Sequence, residues 1–144
     1  MTDVLAPVVK TRDLPCPAEV AFTLFTDRIT EWWPTETHSV AGDRVRKVVV
    51  EPLAGGHIYE VDDAGTRHDW ATVVVHEAPH RLLFEWYPGG TPDDATRLEI
   101  TFTETASGCT LRLVHDGFAS PGPRGSYDSG WDIVLAPLVT AAAA

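Results

Sequence analysis

The sequence predicts an α+β domain, with a curved antiparallel sheet of about seven strands, two short helices after the first strand, and a long C-terminal helix over a cavity. Three observations predict it. Apolar and polar residues alternate strictly in successive segments, the habit of antiparallel strands with one buried and one wet face. The segments follow one another through short turns with no βαβ rhythm. The last part of the chain carries an i, i+3, i+4, i+7 apolar stripe, Trp131, Val134, Leu135 and Leu138, which reads as one face of a helix.

The elements follow in order. Residues 4–14 read as extended, and Pro15-Cys16-Pro17 ends them. Pro17 suits the first turn of a helix, where its missing N–H has no partner to lose. Ala18, Ala21, Phe22 and Phe25 then keep helical spacing. A second helical turn near residues 29–33 stops at Pro34. Strands follow over residues 44–52, 57–61, 66–77, 81–87, 96–103 and 109–116, with turn residues between them. In the fourth of these Leu82, Phe84 and Trp86 share a face, in the fifth Leu98, Ile100 and Phe102, and in the last Leu111, Leu113 and His115. Trp70 shares a face with Thr72, Val74 and His76. Residues 117–125 read as a loop, the final helix as starting near Ser126, and Pro137 as kinking it or shortening it to about three turns.

A sheet with one apolar face must be covered, and the last helix is the only long cover. One helix does not fill the concave face of a strongly twisted sheet. The remaining space is either filled by aromatic side chains or left as a cavity. Five tryptophans in 144 residues supply large apolar bodies for such walls.

Several short motifs carry a resemblance. They are Cys16-Pro17-Ala18-Glu19-Val20-Ala21-Phe22, Trp32-Trp33-Pro34, the turn over residues 52–56 leading into His57-Ile58-Tyr59-Glu60, the strand over residues 70–77, Pro79-His80-Arg81-Leu82, and Gly130-Trp131. With the order of elements, they resemble the SRPBCC, or START-like, superfamily with its helix-grip fold. Within it they resemble the branch named after the activator of the ninety-kilodalton heat-shock protein's ATPase. The resemblance covers nearly the whole chain and implies a single domain over residues 1–144. It also implies a cavity for a lipid-like or aromatic ligand, since members bind lipids, sterols, hormones and polyketides and a minority are enzymes.

Composition narrows the partners. Eleven Lys and Arg oppose 21 Asp and Glu, a formal charge of −10. That disfavours nucleic acid and anionic membrane surfaces, both of which would repel the chain. No signal segment opens the sequence and no apolar run reaches membrane-spanning length, so a cytoplasmic location without membrane insertion is expected. Cys16 and Cys109 read as small core residues. The six histidines show no metal-ligand spacing, so neither metal nor cofactor is expected.

The expected cavity walls are Trp33, Tyr59, Trp70, Phe84, Trp86, Phe102, His115, Phe118 and Trp131. Glu60, Tyr59 and His115 are the only polar candidates for catalysis. His115 is either a satisfied core residue or a polar anchor for a ligand. Glu60 paired with His115 could act as general acid and base, although the usual exposure of Glu favours a solvated Glu60. Trp32 and Trp33 are adjacent, so one is expected inside and the other at the cavity mouth or a homodimer contact. Arg44, Arg46 and Lys47 read as a solvated face. The leading function is binding or carriage of an apolar or aromatic small molecule. The alternatives are an enzyme of the polyketide cyclase or aromatase type, and a module regulating a chaperone or other partner through an apolar patch around Trp32.

Overall fold

The computed structural model describes residues 5–144; Val4, the first residue of the expected extended segment, lies outside them. The strands are β1 (Val8–Leu14), β2 (Val45–Val50), β3 (His57–Asp62), β4 (Arg67–Glu77), β5 (Arg81–Trp86), β6 (Thr96–Thr105) and β7 (Gly108–Asp116). The helices are α1 (Ala18–Phe25) and α2 (Pro121–Ala142), with single 3₁₀ turns at Ile29–Glu31, Gly42–Arg44 and Pro92–Asp94. One seven-stranded antiparallel sheet runs in the order β1-β7-β6-β5-β4-β3-β2. Strands β2 to β7 form a meander, while β1 closes the far edge beside β7. The chain must therefore cross the sheet between β1 and β2, and α1 with the Ile29–Glu31 turn makes that crossing.

Pro17 stands one place before α1, at its N-cap. The first free N–H of the helix, at Ala18, donates to Glu104 Oε1 at 2.9 Å, which satisfies one of the donors a helix start leaves open. Ala18, Ala21, Phe22, Leu24 and Phe25 are buried against the sheet. The inward residues of β5, β6 and β7 are buried as their alternation predicts: Leu82 and Phe84, Leu98, Ile100 and Phe102, Leu111, Leu113 and His115. Each large apolar side chain so buried contributes about 1.5–3 kcal/mol relative to exposure. Cys16 and Cys109 are buried with free thiols. Burial pushes the Cys109 thiol up to about 11 and raises that of Cys16 as well.

Strand β4 departs from simple alternation. Its ladder slips between Ile58 and Tyr59 on one side and between Val73 and Val75 on the other. Trp70 and Ala71 are both buried, so the phase turns over there and turns back before His76, whose ring meets Phe22 at 5.1 Å. The expected single face of Trp70, Thr72, Val74 and His76 is therefore broken. Thr72 points outward to the Tyr87 hydroxyl at 2.7 Å, and Val74 is exposed. Bulges of this kind re-aim side chains.

Helix α2 corrects two expectations. It begins at Pro121, not near Ser126, and it runs 22 residues through Pro137 without shortening, about 33 Å at 1.5 Å per residue. Pro121 and Pro123 fall in its first turn, where no N–H is needed. Lys10 of β1 reaches Asp128 at 2.7 Å and Asp132 at 3.1 Å, and Arg12 reaches Asp132 at 2.8 Å, fixing the helix along that edge. Trp32 and Trp33 are both buried, against the expectation that one would be exposed. They sit at the end of a 3₁₀ turn, so their rings need not leave on one helical face. The Trp32 N–H donates to Leu24 O at 2.6 Å.

Candidate functional site

Helix α2, the segment after Trp33 and the inner face of β4 and β5 line a half-open cavity of about 350 Å³. Trp33, Trp70, Trp86 and Trp131 make its apolar wall, with Val134. Thr37, His38 and Ser39 close it on one side, and Ser126, Tyr127 and Gly130 of α2 on the other. Among the described residues no Asp, Glu, Lys or Arg lines it. A second hollow of about 280 Å³ adjoins it at Trp86, Pro88 and Tyr127, and Phe118 lines only this one.

The four indoles form one cluster. Ring centroids are 5.0 Å apart for Trp33–Trp70, 5.9 Å for Trp33–Trp131, 6.0 Å for Trp70–Trp86 and 5.7 Å for Trp86–Trp131, the range in which aromatic pairs attract. The N–H groups of three of them fix their rings in place. Trp33 donates to His38 O at 2.7 Å, Trp70 to Glu60 Oε1 at 2.6 Å, and Trp131 to His115 Nδ1 at 3.0 Å. Trp86 Nε1 is buried and makes no well-aligned hydrogen bond among the described residues, with the Tyr127 hydroxyl beside it.

Glu60 is fully buried, which overturns the expectation of a solvated side chain. Its carboxyl accepts from Trp70 and from the backbone N–H groups of Val40 and Ala41 at 2.6 and 2.8 Å. Glu60 therefore holds the segment that closes the cavity as well as one of its walls. Tyr59, expected in the wall, lies on the opposite face of β3 with the Arg67 guanidinium 3.9 Å from its ring.

His115 is fully buried behind Trp131. Because Trp131 donates to Nδ1, the ring proton sits on Nε2 and donates to Thr96 Oγ1 at 2.6 Å. The Thr96 hydroxyl then donates to Trp86 O at 3.3 Å. Both ring nitrogens are thus taken by the protein, and neither is left for a ligand. Burial pushes the imidazole down to about 4, against a slight upward pull from Asp116. Glu60 and His115 share no hydrogen bond, and their strands stand four places apart in the sheet, so the expected acid–base pair does not form. Phe84 and Phe102 are core residues, 6.4 Å from Trp86 and 5.8 Å from Phe22, and do not line the cavity.

Of the nine expected wall residues, Trp33, Trp70, Trp86 and Trp131 meet in the cavity, and Phe118 lines the adjoining hollow. Sequence reasoning missed His38 and Tyr127. Tyr127 precedes Trp131 by four residues, so extending the Trp131–Val134–Leu138 stripe backward along the helix would have found it. Among the described residues no group of three His, Cys, Asp or Glu side chains could hold a metal ion. No described helix is long and apolar enough to cross a membrane.

The fold and the cavity define a helix-grip domain: a curled antiparallel sheet closed by its last helix over an aromatic chamber. The chain belongs to the family of the Activator of Hsp90 ATPase homolog 1-like proteins, whose model matches residues 15–143. No curated protein matches it. Among solved structures it is similar to protein MLL2253 from Mesorhizobium loti, with a TM-score of 0.71, 23% identity, and coverage of 93% of this chain and 94% of that one. It is similar to DynU16, from the dynemicin biosynthetic locus, with a TM-score of 0.72 and 20% identity over 94% of this chain, which spans 46% of that one. It is also similar to Txn09, an anthrahydroquino-gamma-pyrone synthase, with a TM-score of 0.64, 27% identity, and coverage of 97% of this chain and 99% of that one.

Proposed function

We propose that the domain binds and carries an apolar, aromatic small molecule in the cavity under α2. The observation that carries this reading is the wall itself: four indoles around about 350 Å³ with no ionisable carboxylate, lysine or arginine among them. Cavities of this size and lining suit small apolar ligands, and a few polar groups set orientation. The similarity to Txn09 over nearly all of both chains supports a polycyclic aromatic ligand class. Native mass spectrometry of the purified protein, before and after denaturation, tests it. Release of an aromatic compound is the expected result. A clean apo mass, together with no change in tryptophan fluorescence when naphthalene is added, would sink it.

A second reading, an enzyme of the polyketide cyclase type, is favoured by His38. Its Nδ1 meets Thr37 Oγ1 at 2.7 Å, and the ring lines the cavity with no hydrogen bond at Nε2 among the described residues. A histidine so placed could move a proton on a bound molecule. His38→Phe separates the readings: a carrier keeps its ligand, whereas an enzyme still binds and loses turnover.

A further inference from the structure

The second hollow differs from the first in charge. Trp86, Phe118 and Tyr127 give it aromatic walls, and Asp94 stands among its lining residues. Among the described residues no Lys, Arg or His lines it. The fully buried His115 ring packs on two of these walls, with centroids 4.6 Å from Phe118 and 4.4 Å from Tyr127. That imidazole is uncharged at neutral pH, because burial holds it down at about 4.

Asp94 is exposed at the rim. Its Oδ2 accepts from Thr91 N and Thr91 Oγ1 at 3.2 and 3.4 Å, which ties the carboxylate to the 3₁₀ turn Pro92–Asp94. Among the described residues its Oδ1 has no hydrogen-bond partner, and no ion pair uses it. Arg124, next in sequence to Pro123 of the lining, is committed elsewhere. Its guanidinium donates to Ala6 O at 2.6 Å and to Pro7 O at 3.2 Å. A helix start favours anions, but Pro121 and Pro123 remove two of the four free N–H groups that α2 would otherwise present. The unanswered charge of this hollow is therefore negative, in a chain whose formal charge is −10.

We infer that the second hollow is a binding site for an organic ammonium group, held against the rings of Phe118 and Tyr127 and beside the Asp94 carboxylate. Aromatic rings attract ammonium ions, most strongly where water is partly excluded. The acidic surface raises the local concentration of such cations. The two hollows share Trp86, Pro88 and Tyr127, so one molecule can span both. Its ring lies among the indoles, where nothing answers a charge, and its amine reaches past Tyr127. This rests on the binding reading above and narrows its ligand class to an aromatic amine.

Three naphthalenes that differ in one substituent make the test: 1-naphthylmethylamine, protonated at neutral pH, neutral 1-naphthylmethanol, and anionic 1-naphthylacetate. Isothermal titration calorimetry of the wild-type protein should show the amine binding about tenfold more tightly than the alcohol, the ratio that one cation–aromatic contact and one rim ion pair supply together. The acetate should bind more weakly than the alcohol. In Asp94→Asn, whose amide oxygen can keep the contact with Thr91, the advantage of the amine should fall to about threefold, with the alcohol unchanged. Asp93→Asn removes the same charge from the same turn at a residue outside the lining, and should keep the full advantage. An undiminished advantage in Asp94→Asn, or equal losses in both variants, would assign the preference to the net charge and overturn the site. An amine no tighter than the alcohol in the wild-type protein, or an acetate tighter than both, would also overturn it and leave the apolar cavity standing. Failure of all three probes to bind overturns the cavity reading and this inference together.

Discussion

At the scale of single residues, two buried polar groups hold the chamber, and each can be tested by itself. Glu60 accepts three N–H bonds, two on Oε1 and one on Oε2. In Glu60→Gln the amide oxygen can keep two of them, but the amide nitrogen then faces a third donor. The expected loss is about 1–3 kcal/mol of stability, read by urea unfolding, with the Ala41 N–H as the donor left facing the amide nitrogen. A loss within about 0.5 kcal/mol, typical of a surface site, would show that the carboxyl is not the clamp described. His115 predicts a pH dependence. Its folded value lies near 4, below the ordinary 6.5, so the unfolded chain binds the extra proton between those values. Stability is therefore full above about pH 6.5 and falls as pH drops toward 4, by up to about 3 kcal/mol from this group. Unfolding measured from pH 7 to 4 should show a steeper decline in wild type than in His115→Phe. Parallel declines would mean that burial of this imidazole does not set the dependence.

At the scale of elements, the β1–β7 edge turns on one glycine. Gly108 has φ +151°, and a Cβ built there would lie 2.0 Å from Leu14 O, a backbone atom that cannot swing away. Gly108→Ala should cost about 3 kcal/mol or more and separate the strand edge that carries Lys10 and Arg12. A midpoint of urea unfolding near wild type would refute that close approach. Elements were legible from sequence where one physical signal dominated. Alternation placed Leu111, Leu113 and His115 inside β7 because that strand has no bulge. It failed in β4, where two slips turn Trp70 and Ala71 inward together, and slips depend on partner strands that local sequence does not name. The start of α2 was misplaced because prolines and glycines mark loops in general, while Pro121 and Pro123 are tolerated in a first turn. That misplacement hid Tyr127. Local sequence favours a solvated Glu60 because the donors that satisfy its carboxyl, the Val40 and Ala41 N–H groups, come from a segment without regular structure.

At the scale of the whole molecule, the question is whether the space under α2 is kept open or is merely an imperfect core. Gly130 bears on it. It sits inside α2 and lines the cavity beside Trp131. Glycine in a helix interior costs about 0.5–1 kcal/mol relative to alanine. Crowding does not require it: a Cβ there would meet His38 Nε2 at 3.8 Å, ordinary van der Waals contact. A side chain at this position would project into the cavity between α2 and the segment carrying His38. Gly130→Ala should therefore raise stability by about 0.5–1 kcal/mol in urea unfolding, with naphthalene still bound. Gly130→Leu should leave the protein folded and as stable as wild type while abolishing naphthalene binding, because its larger side chain occupies the ligand's volume. Stabilising substitutions that remove function are the usual sign of a site whose shape is maintained against stability. If Gly130→Leu instead bound naphthalene as wild type does, the binding volume would lie away from the indole cluster. The hollow lined by Phe118 and Tyr127 would then be the binding volume.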